Sequence, residues 1–246
     1  MVLYRDEAVV LRTHKLSEHD RIITMLTREH GKVRAVGKGV RKTRSRHGSR
    51  LEPFSHVDLQ MATGRTLDVV TESSTLGPHG AVIAADYGRY TAGTAMLEAA
   101  DRLTSEEGEP AIQQFLLLLG AVRALAQDLY PADLVLDAYL LRAMAVGGFS
   151  PSFAECARCG APGPHGWLSV PSGGVVCGRC RIPGSISPSA GTVRLLAALL
   201  TGDWDGAERS GDAERFEAHG IVAAYVPWHL DRGLRSLKHV DRQGAR

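Results

Sequence analysis

The spacing of apolar positions changes character near residue 80. Before it, apolar runs are short and rich in β-branched residues: Ala8-Val9-Val10-Leu11, Arg21-Ile22-Ile23-Thr24-Met25-Leu26 and Lys32-Val33-Arg34-Ala35-Val36. Phe54-Ser55-His56-Val57-Asp58-Leu59-Gln60-Met61 alternates with period two, and Leu67-Asp68-Val69-Val70 is similar. Gly31, Gly37, Gly39, Gly48 and Gly64 punctuate these runs. Such runs predict strands separated by turns. Five short strands in one stretch suit a small barrel, and the OB-fold is the common five-stranded barrel that binds nucleic acid.

From about Ala81 the period becomes helical. Tyr87, Tyr90, Thr94, Leu97 and Ala100 follow a three/four spacing, and Ala111 to Leu129 predicts a second helix. Pro131 to Met144 predicts a third, with Pro131 at its first turn and Gly147-Gly148 closing it. The run Leu116 to Leu119 is apolar nearly all round, which places it at the centre of a helical core. Residues 150–190 are rich in Gly, Pro and Ser, and a loop of that length needs another source of order. Helical spacing returns at Gly191 to Leu200 and from Ala213 to about Val240. The expected class is therefore α+β: an OB-fold barrel over 1–78, helices over 79–149 and 184–246, and an inserted module over 150–183.

The 246 residues are 44% hydrophobic and 23% charged, an ordinary globular balance. No apolar stretch approaches 18 residues, so a transmembrane helix is excluded. Arg5, Asp6 and Glu7 stand where a secretory signal would begin its apolar core, so export is not expected, and the chain contains no Asn to accept a glycan. The net charge of +2 says little until it is divided. Residues 1–50 hold 13 Lys or Arg against 5 Asp or Glu, a net of +8, which leaves −6 for the remainder. That asymmetry suggests a basic face for an anionic partner. Its densest part, Lys38 to Arg50, has six cations (Lys38, Arg41, Lys42, Arg44, Arg46, Arg50) and no acid.

A run of charge can simply be a solvated loop. Here Arg outnumbers Lys four to two, and guanidinium grips phosphate oxygens in pairs. With no acid interspersed, the run has no salt-bridge partners of its own, which favours nucleic acid without separating DNA from RNA. Residues 1–75 contain only Tyr4 and Phe54 as aromatics. Base stacking should therefore be weak, and binding should tolerate sequence and depend strongly on salt. Near the C-terminus Arg232, Arg235, Lys238 and Arg242 follow helical spacing, with Asp231 and Asp241 nearby. They suit a helix C-terminal charge–dipole placement or a second anion-binding face.

The four cysteines are spaced Cys156-x2-Cys159-x17-Cys177-x2-Cys180. Paired knuckles at this spacing point to a four-thiolate zinc site, with Gly160 and Gly178 easing the backbone around the sulfurs. Four thiolates leave no open coordination position, so one structural zinc is expected. A redox Cys-x-x-Cys is the rival, but Pro162 and Pro164 disfavour the helix it needs after Cys159. His165 is a further ligand candidate or a surface histidine. Arg158, Arg179 and Arg181 add positive charge beside the site.

Motifs for catalysis are missing. The chain has no P-loop, Gly37-Lys38-Gly39 lacks the rest of a dinucleotide fingerprint, and neither Gly-x-Ser-x-Gly nor His-Glu-x-x-His occurs. Asp203-Trp204-Asp205 could hold a metal but reads better as a solvated turn or the cap of the next helix. Glu106-Glu107-x-Glu109 reads as a solvated acidic linker. No enzyme is expected.

Several segments closely resemble the RecO family of bacterial DNA repair proteins. They are Glu7-Ala8-Val9-Val10-Leu11-Arg12, Ser17-Glu18-x-Asp20-Arg21, Leu26-Thr27-Arg28-Glu29-His30-Gly31-Lys32, Ala35-Val36-Gly37-Lys38-Gly39-Val40-Arg41 and Leu51-Glu52-Pro53-Phe54. The four-cysteine spacing agrees with the zinc-bearing members, and the resemblance runs along essentially the whole chain. It implies a non-enzymatic recombination mediator in the cytoplasm, associated with the nucleoid. Such a protein binds single- and double-stranded DNA and anneals complementary strands. With RecR it helps load RecA onto DNA coated with single-stranded-DNA-binding protein, whose acidic C-terminal tail it engages. Carried onto matching positions, Arg34, Lys38, Arg41, Lys42, Arg44 and Arg46 are the implied DNA contacts, and Cys156, Cys159, Cys177 and Cys180 the zinc ligands. Two other readings stay open: a zinc-ribbon DNA-processing enzyme of the nuclease class, and an RNA-binding barrel.

Overall fold

A computed structural model describes residues 2–41, 45, 48–230 and 233–240. The chain divides into two compact units, Met1–Leu129 and Tyr130–Arg246.

The first unit is built on a closed five-stranded barrel in the order β1-β2-β3-β5-β4. Its strands are β1 (Leu3–Lys15), β2 (Arg21–Thr27), β3 (Gly31–Gly37), β4 (His56–Ala62) and β5 (Asp68–Gly77). β1 is long enough to serve two neighbours, pairing antiparallel with β2 through Ala8–Lys15 and with β4 through Leu3–Val9. A register shift at Val10/Arg12 bends it between the two. Closure comes from a parallel pairing of β3 with β5 at Ala35–Asp68 and Val36–Val69. Alternation then decides the rest: Ala8, Val10, Ile23, Met25, Val33, Ala35, Val57, Leu59, Met61 and Val70 point inward and form one core. This OB-like order agrees with the fold class expected from the sequence. β1 and β5 run well beyond their apolar runs, because their outward polar residues find cross-strand partners. Arg5 on β1, for example, pairs with Asp58 on β4.

Phe54 does not belong to an alternating strand. It occupies a left-handed conformation (φ 69°) in the turn before β4, and its ring is buried. The ring lies edge-on to Tyr90 with centroids 6.0 Å apart. A Cβ on Gly93 would sit 2.8 Å from that ring, so glycine is what lets the helix approach. Three helices complete this unit: α1 (His79–Ala84), α2 (Tyr87–Leu103) and α3 (Ile112–Gln127). Asp86 caps α2 by accepting from the Arg89 N–H at 2.8 Å, and Arg89 pairs with Asp128, which ends α3. The buried face of α2 is mostly small residues, Ala92, Ala95 and Ala99 among them, with Met96 and Leu97 also buried, while Tyr87 and Tyr90 are exposed. On α3, Phe115, Leu118, Leu119, Val122 and Leu125 are buried, but Leu116 is 49% exposed. The four-leucine run is thus not central throughout: one helix face packs, and the other turns away.

The second unit holds α4 (Ala132–Val146), the hairpin β6 (Trp167–Ser169) and β7 (Gly174–Val176), then α5 (Ala190–Thr201), α6 (Trp204–Glu208) and α7 (Asp212–His229). Gly147 caps α4, followed by Gly148 at φ 89°. α4, α5 and α7 pack on one another, and α6 packs on α5. Across the α4–α7 contact, buried His219 on α7 meets buried Asp137 on α4 at 2.9 Å. Asp203 accepts from the Gly206 N–H at 2.9 Å and so is the cap of α6. The helical pattern from Ala213 does not reach Val240. Pro227 lies in the last turn of α7, Leu230 is extended, and a separate 3₁₀ turn follows at Ser236–His239. Arg235 and Lys238 therefore do not share a helix with α7, and Arg232, Arg242, Asp231 and Asp241 lie outside the described residues.

Candidate nucleic-acid interface and metal centre

OB-folds bind nucleic acid on the face of their second and third strands and on the flanking loops. Here that region is organised by the chain between β3 and β4. Val40 and Leu51, near the two ends of the basic run, are buried in the barrel core. A Cβ on Gly37 would stand 2.8 Å from Val40 and 3.4 Å from Leu51, so the barrel end is closed tightly over both. Among the described residues between these anchors, Arg41 and Arg50 are exposed.

The loop between β1 and β2 supports the root of the run. Asp20 accepts from the Gly39 N–H at 2.8 Å, and Ser17 accepts from the Asp20 N–H at 3.1 Å. Arg41 donates from its main-chain N–H to His19 (3.1 Å) and from its guanidinium to the Glu18 carbonyl (3.0 Å). The Gly39 N–H holds the Asp20 carboxyl below the usual carboxylate range, and the Ser17 side chain, His19 and Lys38 add to the effect.

Of the six implied DNA contacts, Lys38 and Arg41 are exposed at this root and form no salt bridge among the described residues, though Lys38 acts on the Asp20 carboxylate through charge. Arg34 is exposed on β3, but Glu107 holds it at 2.5 Å. Lys42, Arg44 and Arg46 lie outside the described residues. The segment around Glu107 is not a free linker. It bridges to β3 in parallel at Lys32, and the Gly108 N–H donates to the Lys32 carbonyl at 3.0 Å. It thus covers a stretch of β3 that β5 does not reach. Sequence reasoning missed this contact because the partners are more than 70 positions apart. Lys32, too, is engaged, donating to Asp101 at 2.9 and 3.1 Å.

Neither aromatic of the barrel is a free stacking platform. Tyr4 donates to Asp68 and lies 4.7 Å from the His30 ring, and Phe54 is buried.

In the second unit the four cysteines converge, with all four Sγ atoms within 4.8 Å of one another. Cys156 and Cys159 flank a tight turn closed by Gly160 N–H to the Cys156 carbonyl (2.8 Å), and Gly160 adopts φ 69°. Cys177 follows directly on β7, and Cys180 N–H to the Cys177 carbonyl (3.0 Å) makes the matching turn. Ala157 N–H to the Val175 carbonyl (2.8 Å) ties the first turn to the hairpin. Cys159 and Cys177 sulfurs stand 3.8 Å apart. A tetrahedral ion with metal–sulfur bonds of about 2.3 Å requires a sulfur–sulfur edge of about 3.8 Å, so the donors fit one ion.

Charge leads to the same conclusion. The Cys177 N–H points at the Cys156 sulfur at 3.3 Å and, with the N–H groups of Arg158 and Cys159, pulls that thiol down to about 6. Cys177 is lowered as well, first by the Cys180 N–H. Cys180 is pushed up to about 12 by hydrogen bonding to Cys159 and Cys177. Four sulfurs this close cannot all be thiolates unless a cation lies among them. His165 is not in the group; its Nε2 stands 2.8 Å from the Ala161 carbonyl.

The family model described as recombination protein O N terminal matches residues 1–79, and that described as recombination protein O C terminal matches 84–238. Similar curated proteins include three named DNA repair protein RecO. That of Frankia casuarinae is 61% identical over 242 residues, that of Nocardioides sp. 57% over 244, and that of Streptomyces griseus 56% over 248. In each case 98% of this chain aligns with the whole relative. Two family models that divide the chain where its barrel ends, together with relatives matched along their full length, establish that this chain belongs to the RecO family of DNA repair proteins.

Proposed function

We propose that this chain is a DNA-binding recombination mediator. It anneals complementary single strands and, with RecR, helps load RecA onto DNA coated with single-stranded-DNA-binding protein, engaging that protein's acidic C-terminal tail. On this reading residues 1–78 are the DNA-binding domain, 79–149 and 184–246 the helical domain, and 150–183 the metal module. The protein acts in the cytoplasm, on the nucleoid, without catalysing a covalent step.

The observation that carries the reading is that the acid-free basic stretch of the sequence, Lys38 to Arg50, has a core anchor near each end, Val40 and Leu51, with Lys38 and Arg41 exposed at its root. Two DNA strands repel each other along their whole length. A surface that neutralises both lowers the cost of bringing them into register, and the released counterions drive binding. Arg34, Lys38, Arg41, Lys42, Arg44 and Arg46 supply the charge, and the bonds from Asp20 and Glu18 hold its root in place. Cys156, Cys159, Cys177 and Cys180 would hold one zinc ion. That ion supplies folding energy to a segment poor in apolar residues and offers no open position for chemistry.

The test is annealing of two complementary dye-labelled oligonucleotides, without nucleotide cofactor, across a salt series. Fast annealing that falls steeply with salt is expected. DNA binding without acceleration at low salt would overturn the annealing role, and a large preference for RNA of the same sequence would overturn the choice of nucleic acid.

A further inference from the structure

We propose that the cysteine module carries its own contact surface for single-stranded nucleic acid, formed by Arg158, Arg179 and the stack of Arg181 on Trp167. The proposal extends the DNA-binding reading above to a second, separate set of residues.

Arg158 and Arg179 occupy equivalent places, each immediately before the second cysteine of its pair. Both are exposed, as is Arg181. Their simplest use would be to neutralise the thiolates. The sulfurs, however, are already served by main-chain N–H groups, including those of Arg158 and Arg179 themselves. The guanidiniums are left over. Among the described residues none of the three arginines has a carboxylate partner, whereas Arg5, Arg12, Arg21, Arg28 and Arg34 in the barrel all have one. Glu155 is the only acid between residues 150 and 190.

The third arginine is placed differently. Its guanidinium carbon lies 3.4 Å above the Trp167 ring on β6. That stack fixes a flat cation with one face on the indole. Unpaired nucleobases stack on such guanidinium planes and on aromatic rings, while phosphates take bidentate hydrogen bonds from arginine. The module thus carries two guanidiniums without a carboxylate partner among the described residues, one on each cysteine turn, and one stacked cation–indole pair, which together offer a single strand both a phosphate grip and a stacking plane. A duplex, whose bases are not available for stacking, fits less well. The barrel, by contrast, offers charge without a free aromatic.

The experiment uses the full-length, zinc-loaded chain and an oligo-dT carrying 4-thiothymidine, crosslinked by near-ultraviolet light and mapped by peptide mass spectrometry. Crosslinks are expected at Trp167 or within 177–181, besides those in the first unit. Crosslinks confined to the first unit would overturn this inference and leave the barrel reading intact. Absence of binding altogether would overturn both. A second arm compares the native chain with the triple variant Arg158→Ala, Arg179→Ala, Arg181→Ala, which keeps every cysteine. With metal content and thermal midpoint unchanged, the slope of log K against log salt should fall by up to about 1.4 units, at about 0.7 for each of the two phosphate contacts on a single strand. An unchanged slope in a metal-loaded variant would overturn the proposal. If the variant loses its metal, the crosslinks on the native chain decide.

Discussion

Glu107 holds the guanidinium of Arg34 at 2.5 Å, on the outer face of a strand where an OB-fold receives nucleic acid. Both side chains are about two-fifths exposed, so the pair contributes little to stability. Its effect is on availability. A phosphate must displace the carboxylate before it can use Arg34. Glu107→Gln should therefore tighten binding to single-stranded DNA at low salt and steepen the salt slope by up to about 0.7. The thermal midpoint should hardly move. Fluorescence anisotropy across a salt series checks this; an unchanged slope would show that Arg34 is not a contact.

Replacing Arg41, Lys42, Arg44 and Arg46 together with Ala should weaken DNA binding to about the same extent for every sequence. The salt slope should flatten by up to about 0.7 for each lost single-strand contact. The barrel core is untouched, since the anchors Val40 and Leu51 remain. A slope equal to that of the native chain would make the loop a bystander.

Cys177→Ser should release the metal. Elemental analysis should read about one zinc per native chain and none in the variant. The thermal midpoint should fall by more than about 5 °C, because metal binding and folding of this segment are coupled. Metal content near one per chain in the variant would refute the four-thiolate site.

His79 gives the first unit a sensitivity to acid. Burial, followed by His56 on β4 and Arg123 on α3, holds its pKa below the usual histidine value. His56 in turn meets Glu7 at 2.6 Å. The sign follows from linkage. Above about pH 6.5 the ring is neutral in both states and contributes nothing. Below it the unfolded chain takes up a proton that the folded chain resists, so stability falls until pH passes the lowered folded value, then levels off. His79→Gln should remove that part of the acid loss. Urea midpoints of the two proteins at pH 7.5, 6 and 5 should diverge as pH falls; parallel curves would acquit His79.

Much of this was legible in the sequence because local spacing determines it. The β-branched runs located all five strands, and the cysteine spacing located a donor set whose geometry fits one ion. What escaped was decided by distant partners. Phe54 fits an alternating pattern, yet it is apolar because Gly93 makes room for its ring, not because it lies in a strand. Leu116 belongs to an apolar run, yet which leucines pack depends on what lies beside α3. Glu107 looked like solvent-facing charge until β3 was placed next to it. The basic run shows the opposite case: its sequence was plain, while Lys42, Arg44 and Arg46 fall outside the described residues.

The barrel is closed unevenly. Four of its seams run over seven residues each, while β3 and β5 meet only at Ala35–Asp68 and Val36–Val69. Those two strands are also separated by the whole basic run and β4. Their joining must wait for a long stretch of chain to be ordered, at a cost in loop-closure entropy that few bonds offset. The barrel therefore has a latch: amide protons along this seam should exchange with solvent sooner than those of the β1–β2–β3 meander, and the latch lies at the strand that carries Arg34.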